Sequence, residues 1–145
     1  MSEASKTQVQ VGTWAQFKEL ASPIRLEVFV LEQNVPLEEE LDVRDADCVH
    51  AVAFAPNGQP IGTGRLLPDG HIGRMSVLRS HRGLGVGGQI LKALMEQARM
   101  KGFEEVVLSA QTHALGFYQQ FGFVAEGEEY LDANIPHLTM RRKFA

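Results

Sequence analysis

Several things are scarce in this chain, and each scarcity narrows its chemistry. There is one cysteine, Cys48, so no internal disulfide can form. That thiol opens an apolar stretch and is read as packing. No apolar run approaches the length of a membrane span. The opening residues, MSEASKTQ, lack the apolar centre of a secretory signal, so a cytoplasmic protein is the default expectation. Basic surplus is absent too. The 14 lysines and arginines stand against 18 acids, a net charge of −4. A general nucleic-acid-binding surface is therefore not expected, and neither is a membrane partner. No G-x-x-x-x-G-K-[ST] occurs, which excludes a P-loop. With no repeat, low-complexity tract or linker, the 145 residues read as one domain with residues 1–7 frayed.

What is present is concentrated between Gly73 and Gly102. A short apolar strand ending at Val77 enters a basic loop, Leu78-Arg79-Ser80-His81-Arg82. The loop turns glycine-rich through Gly83, Leu84, Gly85, Val86 and Gly87 and opens an amphipathic helix. Gly102 closes that helix as a left-handed cap. The first N–H groups of a helix lack intrahelical partners and carry the positive end of its dipole. Glycines let a phosphate or pyrophosphate rest directly on them. Gly83, Gly85 and Gly88 also satisfy the dinucleotide pattern G-x-G-x-x-G. That pattern wants the strand to run straight into the first glycine and an acid at the end of the next strand. Here a basic loop intervenes, and Glu104 and Glu105 fall at the start of the next strand.

The remaining chain is read as alternating strands and helices. A first strand is expected near 8–13 and a helix capped by Thr13-Trp14-Ala15-Gln16 through Leu20. Ser22-Pro23 is read as a fresh helix start, with Ile24, Val28 and Leu31 as the buried stripe to Gln33. Residues 34–47 are irregular and acidic. Most of these acids read as solvated, and the alternative is a charged lip that attracts a cationic acceptor. Strands follow at 48–55, 60–67 and 71–77, joined by turns at Asn57-Gly58 and Asp69-Gly70. Cys48 and His50 share a strand face with Val52 and Phe54 and are read as packing. A strand over 105–110 has the apolar centre of a buried parallel strand. A short helix spans 113–120, a strand starts at Val124, residues 130–136 read as a loop, and the last strand is 137–144.

Arg82-x-x-Gly85-x-Gly87 after a strand resembles the pyrophosphate loop of the GNAT superfamily, the Gcn5-related N-acetyltransferases that use acetyl-CoA. Ala114-Leu115-Gly116-Phe117-Tyr118-Gln119-Gln120-Phe121-Gly122-Phe123 resembles that superfamily's A-x-x-F-Y-x-x-x-G-F signature. Arg25-Leu26-Glu27-Val28-Phe29-Val30-Leu31-Glu32-Gln33 is similar to a segment of the ElaA-like subgroup. So is Tyr130 to Met140, with Asn134 replacing the usual glycine. Asn tolerates a left-handed backbone, so the turn is expected to survive.

The resemblance covers nearly the whole chain. It implies a mixed α/β (α+β) fold, a mostly antiparallel sheet of six to seven strands flanked by about four helices. It implies acetyl-CoA as acyl donor, no metal, and direct attack of an amine in a ternary complex. A non-catalytic acyl-CoA sensor is the alternative. By the same resemblance Tyr118 protonates the leaving thiolate, a backbone N–H of the Met75–Ser76–Val77 strand meets the developing oxyanion, and the loop from Arg82 to Gly87 holds the pyrophosphate. Gln111 stands where relatives carry an Asn that touches CoA. Glu32, Gln33 and His137 are candidate acceptor contacts. His113 is not assigned a role, and no general base stands out. Relatives are often dimers, but no residue here requires it.

Overall fold

The computed structural model describes residues 7–144. Of the segment expected to fray, only Thr7 lies among them, and it is buried. The strands are β1 (Gln8–Gly12), β2 (Val49–Phe54), β3 (Pro60–Leu66), β4 (His71–Val77), β5 (Glu105–Gln111), β6 (Val124–Asp132) and β7 (Ile135–Lys143). They form one sheet in the order β1-β2-β3-β4-β5-β7-β6. Every neighbouring pair is antiparallel except β4 with β5. The helices are α1 (Trp14–Arg25), α2 (Leu37–Glu40), α3 (Val86–Met100) and α4 (Leu115–Gln119), with short 3-10 and π segments between elements.

Strand alternation decides which helix covers which face. Ala51 and Ala53 of β2 join Ile90, Leu91, Leu94 and Ala98 of α3 in the main core. Val52 points the other way and meets Phe17 and Ala21 of α1. His50 lies on that second face, fully buried, with its ring 4.7 Å from Trp14. Its Nε2 donates to the Asp45 carbonyl at 2.9 Å, and burial pushes its pKa down, so it packs as a neutral ring. Cys48 is likewise buried.

The capping box at Thr13 forms: the Thr13 hydroxyl accepts from the Gln16 N–H, and the Gln16 side chain accepts from the Thr13 N–H. The fresh start at Ser22-Pro23 does not. α1 runs unbroken through Pro23, because its apolar stripe, Phe17, Ala21 and Ile24, continues across the join. Beyond it the helix widens into a π segment, Leu26–Glu32, that ends with the Gln33 N–H on the Val28 carbonyl at 3.1 Å. An i→i+5 register holds more residues per turn. Val28 therefore stays buried, but Leu31 rotates out to 69% exposure.

The acidic segment 34–47 also differs from the reading of it as mostly solvated. Glu40 and Asp45 are buried, and Asp42 is nearly so. Arg25 binds Glu40 at 2.5 Å and Asp45 at 2.9 Å, and Arg65 binds Asp45 at 2.8 Å and Asp42 at 2.7 Å. These acids pin the segment, folded as α2 and a 3-10 turn, onto α1 and β3. Glu38, Glu39 and Asp47 remain exposed. Burial opposes ionisation of Asp45 and Asp42, yet hydrogen bonds from Arg25, Arg65 and Arg44 outweigh it and hold both below the ordinary range near 3.8. Lowered carboxyl values give stability that is present above that range and lost as pH falls through it. Asp45→Asn leaves two arginines with an unmatched buried partner, so it is expected to cost about 3–5 kcal/mol. Urea midpoints measured from pH 7 down to 3 should fall for the wild type below pH ~4 and less for the variant, which keeps only the Asp42 share of that loss.

At the far edge, the stretch expected to be a loop is a hairpin. β6 runs to Asp132, β7 starts at Ile135, and Ala133 and Asn134 turn the chain with φ of 51° and 64°. Two left-handed residues make a type I′ turn, which suits the twist of the flanking strands. β6 also carries a bulge: its register against β7 shifts between Glu126 and Tyr130.

Candidate active site

The parallel pair β4–β5 opens the sheet. Only His71↔Val107 and Ile72↔Leu108 are in register. Beyond Ile72 the strands part, while β5 stays on β7 as far as Gln111↔His137. A bulge places Arg74 and Met75 opposite the single residue Gly64 and turns β4 away. Arg74 takes the strain, with φ at 51°. It is held there by its own guanidinium, which donates to the Glu39 and Glu40 carbonyls at 3.1 and 3.3 Å. The result is a cleft of about 1220 Å³ at the carboxyl ends of the two parallel strands.

One wall is the glycine loop. Gly83 and Gly85 have φ of 78° and 83°, and Gly85 precedes α3 with no side-chain cap. The first helical bond runs from the Gln89 N–H to the Gly85 carbonyl. Among the described residues, no backbone acceptor takes the N–H of Gly85, Val86, Gly87 or Gly88. Gly87 and Gly88 face different ways. A side chain at Gly88 would strike the Phe121 ring at 2.9 Å, whereas one at Gly87 would make only ordinary contacts, with Phe117 at 3.5 Å and Val77 at 3.8 Å. Gly83, Gly85, Val86 and Gly87 all line the cleft. Leu84 does not; its side chain packs against the core.

Met75, Ser76 and Val77 form the β4 wall, and Tyr118 of α4 lines the same cleft. The Tyr118 ring packs edge-on against Phe117 and Phe123. Burial pushes its hydroxyl up to about 12, so it stays protonated well past neutrality.

The third wall is the π segment. Glu32 forms a two-pronged ion pair with Arg82 at 2.6 and 2.7 Å, and Arg79 approaches it at 3.5 Å. The hydrogen bond from Arg82 holds the Glu32 carboxyl below its usual range. Arg82 also donates to the Val77 carbonyl at 2.9 Å, so its side chain ties β4 to the π segment. Gln33 accepts from Gln111 at 2.9 Å, and Gln111 is bonded in turn to His113 at 2.6 Å. Thus Gln33, Gln111 and His137 meet on one side of the cleft, beside a recess of about 90 Å³. Arg74, unassigned from the sequence, lines both spaces. The signal for it was a lone basic residue inside an apolar strand.

A family profile for the acetyltransferase (GNAT) domain matches residues 4–144. The chain belongs to the GNAT acetyltransferases. It is an acyltransferase, and the family and its structural neighbours support a CoA-derived donor. It is 46% identical over 123 residues to the uncharacterized N-acetyltransferase YjcF of Bacillus subtilis, covering 82% of this chain and 87% of that one. In structure it is similar to an acyl-CoA N-acyltransferase from Pseudomonas aeruginosa, with TM-score 0.83, 34% identity, and coverage of 94% and 99%. It is equally similar to Escherichia coli ElaA, with TM-score 0.83, 29% identity, and coverage of 94% and 99%. The seven-stranded mixed sheet and its four helices are the GNAT fold. No helix among the described residues is long and apolar enough to cross a membrane.

Proposed function

We propose that this GNAT protein is an acetyl-CoA-dependent N-acetyltransferase that moves the acetyl group to a primary amine by direct attack in a ternary complex. The observation that carries the reading is one cleft lined by uncapped N–H donors and a half-buried, protonated phenol and adjoined by a polar recess. The left-handed Gly83 and Gly85 and the free donors of Gly85 to Gly88 fit a pyrophosphate. Acetyl-CoA, when bound, supplies an activated thioester. The chain supplies the rest. Main-chain groups of Met75 to Val77, freed where β4 leaves β5, are positioned to meet negative charge developing on the carbonyl oxygen. Tyr118 donates a proton to the departing sulfur. The acceptor enters from the side of Gln33, Gln111 and His137.

Thiol release with a panel of primary amines, polyamines and peptide N-termini tests the reading. Release above the hydrolytic background with at least one amine supports it. Binding of acetyl-CoA by calorimetry with no release across the panel counts against it, and binding of NAD in place of CoA removes it.

Arg82 contributes less side-chain binding here than an unpaired arginine would, because Glu32 already holds its guanidinium. Arg82→Ala is expected to weaken acetyl-CoA by no more than about 1 kcal/mol, the scale of a half-exposed ion pair. Glu32→Gln removes a negative charge beside the loop and releases Arg82, so it should tighten binding by a similar amount. Both effects should shrink as salt rises from 20 to 500 mM, on the order of the change in Debye length. Calorimetry of both variants at the two salt concentrations reads this directly, and a weakened Glu32→Gln would contradict it.

A further inference from the structure

The proposed transfer leaves one role empty, the group that takes a proton from the acceptor. Glu32 is committed to Arg82 and Arg79. The His113 Nε2 is engaged with the Gln111 side-chain oxygen at 2.6 Å, and the residue is exposed. The geometry points to His137: we propose that its Nε2 is the general base that deprotonates the acceptor, and that the site takes primary amines arriving as ammonium ions. This rests on the transferase reading above.

The tautomer is decided by one contact. His137 Nδ1 lies 2.6 Å from the Ile135 carbonyl oxygen. A carbonyl only accepts, so Nδ1 carries the hydrogen, and a neutral ring then has its lone pair on Nε2. Among the described residues no hydrogen bond engages Nε2, although the residue is only 7% exposed. The residue lines both the main cleft and the small recess, so it borders the space between donor and acceptor. Its ring plane is fixed as well. Tyr130 stacks on it with centroids 6.0 Å apart and planes 21° apart, and the Tyr130 hydroxyl is hydrogen-bonded to Ser109. A base whose far nitrogen is oriented by an acceptor is the arrangement that activates nucleophiles elsewhere.

The charged groups facing the same recess are Arg74, Glu39, Glu40 and Asp132. Glu40 is bound to Arg25, and one Arg74 terminal nitrogen donates to the Glu39 and Glu40 carbonyls and lies 3.8 Å from Asp42. Asp132 is exposed at the strand end.

The step balances. The ammonium gives one proton to Nε2, and the free amine forms the N–C bond as the C–S bond breaks. The sulfur takes a proton from Tyr118, and the nitrogen's second proton restores Tyr118. His137 returns its proton to solvent, so the products are an amide, free thiol and one proton.

Two probe amines separate base from bystander. n-Butylamine is almost wholly protonated at neutral pH, whereas hydroxylamine is neutral. His137→Asn keeps a donor for the Ile135 carbonyl but has no basic nitrogen. It should lower single-turnover transfer to butylamine by about 10²-fold, the lower range for a general base. Transfer to hydroxylamine should fall much less, with melting temperature and acetyl-CoA affinity unchanged. Equal losses with both amines, or no loss with either, overturn the proposal. If the variant does not fold, the wild type alone decides it: long-range ¹⁵N NMR should show Nδ1 protonated and Nε2 bare, and an Nε2–H tautomer overturns it. A wild type that binds acetyl-CoA yet transfers to neither amine overturns the transferase reading and the proposal with it, a result distinct from all the others.

Discussion

Gly87→Val is expected to abolish acetyl-CoA binding while leaving the fold intact. Gly87 sits in the first turn of α3 with ordinary helical backbone, and a Cβ there meets nothing closer than 3.5 Å. The side chain therefore projects into the cleft mouth without straining the protein, and α3 gains helix propensity over glycine. What it displaces is a ligand seated on the N–H groups of Gly85 to Gly88. Loss of even two charge-assisted hydrogen bonds at about 1.5–3 kcal/mol each amounts to roughly 10²-fold or more in affinity. Gly83 and Gly85 are poorer test positions, since their left-handed backbone would penalise any side chain in the free protein. Calorimetry with acetyl-CoA, beside circular dichroism and a melting curve, settles the matter. Native spectra with unchanged affinity would remove the pyrophosphate from this loop.

Tyr118→Phe is expected to lower single-turnover transfer by about 10²-fold with binding and stability nearly unchanged. The ring's contacts with Phe117 and Phe123 survive the substitution. The lost hydroxyl has no hydrogen-bond partner among the described residues, so its removal strands none. Burial raises its pKa from 10.0 to about 12, which keeps it an acid across the working range. Any alkaline fall in rate that belongs to Tyr118 should therefore begin only toward pH 12. Subtracting the tyrosinate absorbance of Tyr118→Phe from that of the wild type isolates this ionisation. Equal transfer rates in the two proteins, both saturated with acetyl-CoA and a working amine, would leave Tyr118 as a packing residue.

The parts of the fold legible in the sequence are those written by local chemistry. Thr13 and Gln16 announce a capping box, Asn57-Gly58 and Asp69-Gly70 announce hairpin turns, and Gly102 closes α3 with φ at 83°. The glycine loop and the Phe117-Tyr118 helix were legible because they are contiguous motifs. What was not legible depends on partners distant in the chain. Glu40, Asp42 and Asp45 look solvated until α1 and β3 bring Arg25 and Arg65 against them. Pro23 looks like a helix start until Phe17, Ala21 and Ile24 are seen to run past it as one buried stripe. The left-handed turn at Asn134 was legible, but the pairing of Tyr130 to Asp132 with Ile135 to His137 around it was not, since it depends on contacts across the turn. The divergence of β4 from β5 has no local signature at all, since it needs the extra residue at Arg74–Met75 and a strand, β7, that arrives some sixty residues later.

The outer strand of the sheet has a further consequence. Among the described residues β6 leaves one edge without a partner, which is the feature by which sheet proteins aggregate. This edge is a poor template. The ladder is interrupted between Glu126 and Tyr130, Gly127 turns left-handed with φ at 75°, and Glu126, Glu128, Glu129 and Asp132 are exposed along it. A second copy adding its own β6 there would meet a broken ladder and like charge. The acids that close the sheet thus help keep a crowded solution of this protein from growing edge to edge.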